Sequence, residues 1–205
     1  MTVISVRRMI PTIGKTELTI SRVRSMAGIV ARAGGRVRIG RVVAGEGAGS
    51  LQMYAAFENF EAISRATLVI ASDPAREKLV QERELNPGGE LIGPEVYRTV
   101  YGDVAPGYPI VMQREYQISR ENLPDALGLL PEIEKLGTGH DFKLTAVVPV
   151  IADDLGRMAV LYYYKTMEEL GISIDQVGMS EKFQKIVSKA NTLGTLTKSR
   201  VVSII

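Results

Sequence analysis

Apolar residues recur along this chain in two rhythms, and their order predicts the fold. Val3 to Ile10 is a short apolar run that carries Arg7 and Arg8 and ends at Pro11, which reads as a strand. From Thr16 to Ala33 the residues Ile20, Val23, Ala27 and Val30 return at three- and four-residue steps. That is the spacing of one helix face, and Gly34-Gly35 stops it. Arg36 to Ala44 alternates as a strand, Gly45-Glu-Gly-Ala-Gly49 turns, and Leu51 to Phe57 returns as the second arm of a hairpin. Phe60 to Ala71 is helical. Ser72-Asp73-Pro74 supplies a cap with proline at the first helical position, so a second piece runs from Pro74 to Leu85. Pro87-Gly88-Gly89 turns, and Val96 to Tyr101 is the closing strand.

This β-α-β-β-α-β order starts again after Ala105-Pro106-Gly107. Ile110 to Ile118 reads as a strand, and Leu123 to Leu136 as a helix bent or split at Pro131, because an interior proline removes a backbone donor. Phe142 to Ile151 and Met158 to Tyr164 form a hairpin around Asp153-Asp154-Leu155-Gly156. Met167 to Leu170 opens a helix, Ser180 caps a further piece from Glu181 to Ala190, and Arg200 to Ile205 is the last strand. The two passes lie about 107 residues apart: Arg7 falls on Arg114, Gly49 on Gly156 and Lys78 on Lys185. Such identities are no more frequent than composition alone would give. The repeat therefore rests on element type, order and turn position. It predicts an α+β fold of two tandem ferredoxin-like repeats, residues 1–105 and 106–205.

Composition narrows the function without naming it. A net charge of +2 over 205 residues is too small to mark a nucleic-acid or membrane surface. The basic run Arg36 to Arg41 alternates with Val37, Ile39 and Gly40 and reads as a strand. Cysteine is absent, which removes disulfides, thiolate metal sites and cysteine nucleophiles and suits a reducing compartment. No signal-peptide pattern or bilayer-length apolar run is present, so the expected location is the cytoplasm.

The segments Phe57-Glu-Asn-Phe-Glu-Ala-Ile63 and Ala71-Ser-Asp-Pro-Ala-Arg-Glu-Lys-Leu79 resemble the dimeric α+β barrel superfamily, and NIPSNAP-like proteins in particular. Tyr164-Lys-Thr-Met-Glu-Glu-Leu170 and Met179-Ser-Glu-Lys-Phe-Gln184 resemble it again, with Ser180 in the place of Asp73 and no proline. The resemblance implies two four-stranded antiparallel sheets facing each other as a barrel. Single-repeat members use two chains for this, whereas here one chain could supply both sheets. A homodimer stays open. The superfamily includes antibiotic-biosynthesis-type monooxygenases that act without cofactors on aromatic polyketides, haem-degrading enzymes and chlorite-dismutase-like haem proteins. Fold alone does not choose among them.

Several side chains could carry chemistry. Tyr162 and Tyr164 share one face of a strand and Tyr163 takes the other. A tyrosine can orient a flat aromatic ligand or donate a proton, or it can simply fill a core. Arg114 shares a face with Met112 and Tyr116, where a guanidinium would either pair an oxyanion or extend its head to the rim. Arg7 is its counterpart. His140, the single histidine, is the sole candidate for an axial haem ligand, or an ordinary loop residue beside Asp141. Gly14-Lys15-Thr16 lacks the earlier glycine of a phosphate loop, and one histidine excludes a two-histidine metal site. The expectation is a small-molecule-binding barrel, acting as an oxygenase on an aromatic or polyketide-like compound without metal or cofactor. Its ligand candidates are Arg114, Tyr116, Tyr162, Tyr164 and His140. A non-catalytic interaction protein and a haem protein using His140 are the alternatives.

Overall fold

A computed structural model describes residues 1–137 and 141–205. Its eight strands are β1 (Val3–Pro11), β2 (Arg36–Gly45), β3 (Leu51–Phe57), β4 (Gly89–Tyr101), β5 (Ile110–Ile118), β6 (Phe142–Ile151), β7 (Arg157–Tyr164) and β8 (Gly194–Ile204). They close into one barrel in the order β1-β3-β2-β8-β5-β7-β6-β4. The first half supplies the run β4-β1-β3-β2 and the second half the run β6-β7-β5-β8. The seams are β2 with β8 and β4 with β6. Closure leaves no strand edge open to another chain. The α+β barrel implied by the sequence is therefore present, and a single chain completes it.

Every neighbouring pair is antiparallel. It follows that β1, β2, β5 and β6 run one way and the other four run back. The β2–β3 and β6–β7 turns therefore lie at the same end of the barrel.

The helices cover the outer surface. Helix α1 (Thr16–Arg32) places Ile20, Val23 and Val30 against Met53, Ala55 and Phe57 of β3. Helices α2 (Phe60–Ala71) and α3 (Pro74–Leu85) follow. Asn59 caps α2 by accepting from the Ala62 N–H, and Asp73 caps α3 by accepting from Ala75, with Pro74 in the first turn as the sequence indicates. In the second half, α4 (Leu123–Gly128) and α5 (Leu130–Leu136) are the split helix, each with proline in its first turn. Thr166 and Glu169 form a capping box on α6 (Met167–Ser173), and a π-helical turn (Ile174–Gly178) leads to Ser180, the cap of α7 (Glu181–Leu193).

Two strands begin earlier than the apolar pattern indicates. Strand β4 starts at Gly89 rather than Val96, because its register against β1 shifts between Val6 and Arg8 and takes up Gly93-Pro94 as an irregularity. Strand β8 starts at Gly194 rather than Arg200. Its first residues pair with β5 while Thr195, Leu196 and Thr197 stay exposed, so no apolar alternation announces them. Gly45 ends β2 at φ +84°, where a side chain would meet the Ser199 carbonyl oxygen at 2.2 Å.

Candidate functional site

Alternation along the strands divides the side chains into two sets. On β5, Met112, Arg114 and Tyr116 face the helices, and Val111, Gln113 and Glu115 face the barrel interior. On β7, Met158, Val160, Tyr162 and Tyr164 face the helices, while Ala159, Leu161 and Tyr163 face inward. The two faces meet different surroundings.

The helix-facing side of the second half is a packed core. Tyr162 and Tyr164 lie 4% and 2% exposed beside Phe142, whose ring is 6.4 Å and 5.9 Å from theirs. The Arg114 guanidinium sits 5.7 Å from the centre of the Tyr162 ring, a cation–π arrangement, and the Tyr164 hydroxyl lies 3.2 Å from Ser173 Oγ. Burial raises the pKa of Tyr116, Tyr162 and Tyr164, with Arg114 pulling each down. The space between this sheet face and the helices is about 40 Å³, lined by Tyr116, Tyr162, Leu130 and Phe183 among others. The four candidates Arg114, Tyr116, Tyr162 and Tyr164 are thus brought together, but where there is room for little more than a water molecule. Arg7 likewise faces its own helices, near Arg76 of α3, and burial lowers its pKa. His140 lies outside the described residues.

The barrel interior holds a cavity of about 660 Å³. Its two ends differ in chemistry. Toward the β2–β3 and β6–β7 turns it is charged. Arg157, on β7, donates to Glu95 at 2.7 Å and lies 3.6 Å from Glu115. Lys198 pairs with Glu115 at 3.1 Å, Arg200 with Glu46 at 2.8 Å, and Arg8 with the other oxygen of Glu46 at 2.9 Å. Burial opposes the charge of Arg157, but the Glu95 hydrogen bond and the nearby Tyr97, Glu95 and Glu115 outweigh it and raise the pKa above the arginine norm. Arg200 is 8% exposed, and its Nε has no hydrogen-bond partner among the described residues.

Toward the other end the walls become apolar: Ile4, Ala56, Val111, Val147, Leu161 and Tyr163. Three tyrosines project into this space. The Tyr54 hydroxyl accepts from Gln113 Nε2 at 2.6 Å and donates to Gln52 Oε1. The Tyr97 hydroxyl donates to Glu95 Oε2 at 2.6 Å. Burial raises the pKa of Tyr54 and Tyr97 and pushes Tyr163 up to about 12. All three are neutral phenols near pH 7.

The segment 102–109 between the halves crosses the apolar end. Val104 packs against the cluster of Ile4, Tyr97 and Val147, and Ala105 belongs to the cluster of Val42, Val111 and Tyr163. Arg38 holds it by donating to the Ala105 and Tyr108 carbonyls at 3.1 Å and 3.0 Å, and Thr145 Oγ1 donates to the Asp103 carbonyl at 2.6 Å.

Sequence reasoning passed over this interior set: Tyr54, Tyr97, Gln113, Glu115, Arg157 and Arg200. Charged and amide side chains at alternate strand positions read as a solvated face. One signal points the other way. Val160-Leu-Tyr-Tyr-Tyr164 is apolar on both faces, the mark of a strand covered on both sides.

A haem would need an axial donor in the space that could hold it. Among the described residues the cavity wall offers no histidine for that role. No group of three or more acidic or histidine side chains able to hold a metal ion occurs among the described residues. No helix among them is long and apolar enough to cross a membrane.

No protein-family model and no curated protein matches the chain. Solved structures do match it over its whole length. An anthrone oxidase-like protein superposes with a TM-score of 0.68 at 11% identity, covering 100% of this chain and 91% of that one. A candidate monooxygenase from Lactobacillus acidophilus gives 0.64 at 7% identity, covering 99% and 93%. A chlorite dismutase variant from Candidatus Nitrospira defluvii gives 0.58 at 8% identity, covering 100% and 91%. The chain shares the ferredoxin-like barrel fold of these proteins, as the sequence resemblance implies.

Proposed function

We propose that this protein binds a flat, largely apolar small molecule inside the barrel and oxidises it with molecular oxygen. The observation that carries the reading is the cavity. Its volume of about 660 Å³ lies within the range of ligand pockets, roughly 300–1,000 Å³. Apolar walls with a few converging polar groups are the usual composition of such pockets. The Tyr54, Tyr97 and Tyr163 rings suit an aromatic face. Fold likeness to monooxygenase-like and anthrone oxidase-like proteins supports the oxygenase class by analogy.

The chemistry needs a substrate whose methylene is acidified by neighbouring carbonyl and aromatic groups. Loss of one proton gives an enolate, which passes one electron to oxygen; the radical and superoxide join at that carbon, and return of the proton gives a hydroperoxide. Loss of water then leaves a ketone. One CH2 and one O2 become one C=O and one H2O. Here the protein would bind the flat body, exclude bulk water and orient the ionising oxygen toward hydrogen-bond donors.

Oxygen uptake with a hydroxylated anthrone tests this. Protein-dependent consumption of one O2 per ketone formed is expected, together with its loss in Ala159→Phe, which fills the cavity. Equal uptake with and without protein would overturn the oxygenase reading, and failure of any flat aromatic to bind would overturn the pocket itself.

A further inference from the structure

The cations of the cavity wall are not all neutralised. Arg8, Arg157, Lys198 and Arg200 each pair with a carboxylate. Arg36 and Arg38 also line the cavity, and neither has a carboxylate partner among the described residues. Arg36 is exposed, whereas Arg38 is partly buried. Desolvation lowers the pKa of Arg38, and only the neighbouring Tyr163 and Tyr54 pull it back. Its two hydrogen-bond partners are neutral carbonyls, so the charge is hydrogen-bonded without being balanced. A guanidinium has five N–H donors, and two carbonyls leave three unused.

Arg38 is also well placed. It stands directly opposite Tyr54 in the β2–β3 register, so both side chains enter the barrel on one rung. The apolar wall formed by Val111, Leu161 and Tyr163 lies in the same part of the cavity.

We infer that the ligand is a flat apolar monoanion whose charged oxygen group pairs with Arg38 beside the Tyr54 hydroxyl. A carboxylate, a sulfonate and an ionised enol or phenol share the required chemistry. The ligand's apolar body then lies along Val111, Leu161 and Tyr163. The charged end of the barrel, already internally paired, acts as the polar rim. The inference rests on the barrel cavity being the binding site and adds the charge of what binds.

Two dyes with one skeleton separate the two claims. N-phenyl-1-naphthylamine is neutral, and 8-anilino-1-naphthalenesulfonate is the same body with one sulfonate. Fluorescence titration of both should show tighter binding of the sulfonate to the wild-type chain. Arg38→Gln should weaken the sulfonate about tenfold and leave the neutral dye within twofold, as expected for loss of one charge-assisted contact. Arg38→Lys, which keeps the charge and gives up the two-carbonyl clamp, should retain most of the preference. If Arg38→Gln weakens both dyes alike, or neither, the anion site is overturned and Arg38 only holds the 102–109 segment. If Arg38→Gln does not fold, a wild-type chain that binds the sulfonate no more tightly than the neutral dye overturns it equally. Binding of both dyes that survives Ala159→Phe would overturn the cavity itself, a different failure.

Discussion

Gln113 on β5 donates a 2.6 Å hydrogen bond to the hydroxyl of Tyr54 on β3, joining the two halves across the inside of the barrel. The two strands are not neighbours, since β2 and β8 lie between them. The contact therefore spans the cavity and fixes the phenol that any ligand there would meet. Tyr54→Phe removes a hydroxyl bonded to two amides. A net loss of about 1 kcal/mol is expected, measurable as a lower urea midpoint with the slope unchanged.

The same phenol gives stability an alkaline limit. Burial raises the pKa of Tyr54 and Tyr97 above that of an unfolded tyrosine, and that of Tyr163 to about 12. Their contribution is present in full below about pH 10, the unfolded value, and falls as pH rises from there through the folded values. Urea midpoints should be flat in this respect from pH 7 to about 9 and fall above 10. Phenolate absorbance should lag behind that of the unfolded chain. A midpoint that rises above pH 10 would contradict the burial of these hydroxyls.

Arg157 contributes more by its absence than most residues would. Its side chain is 11% exposed and stands among Glu95, Glu115, Asp153 and Asp154. Arg157→Met leaves Glu95 without its cation, while Glu115 keeps Lys198 and Arg200. A loss of roughly 3 kcal/mol is expected, as for one partner removed from a buried pair. Adding Glu95→Gln to that variant should restore part of the lost urea midpoint. No recovery would show that Arg157 matters for packing rather than charge.

The two faces of β7 make a sharper distinction. Tyr162→Phe and Arg114→Met alter the helix-facing core, and dye binding should stay within twofold while the urea midpoint shifts. Ala159→Phe alters the interior, and dye binding should be lost while stability holds or rises as the void is filled. The reverse pattern would place the ligand between the sheet and the helices.

Most of the architecture was legible in the chain because periodicity and caps report local structure. Asp73-Pro74 and Ser180 mark helix starts, and both caps form. The three tyrosines alternate faces as their positions require. What alternation cannot say is which face opens onto a cavity. That depends on β2 meeting β8 and β4 meeting β6, pairings between residues far apart in sequence. The helix-facing tyrosines stood beside an arginine and looked equipped for a ligand. Gln113 and Glu115 carry no sequence signal of their own, and closure of the barrel turns them inward. At matching places in the two halves stand Arg38 and Thr145, and both hold the 102–109 segment through different donors.

A crystal of the protein soaked with N-phenyl-1-naphthylamine tests most directly whether the ligand enters the barrel. Difference density inside the barrel is expected, in contact with Tyr54, Leu161 and Tyr163. Density among Tyr116, Tyr162 and Phe183, or an interior left unchanged at saturating dye, would contradict it.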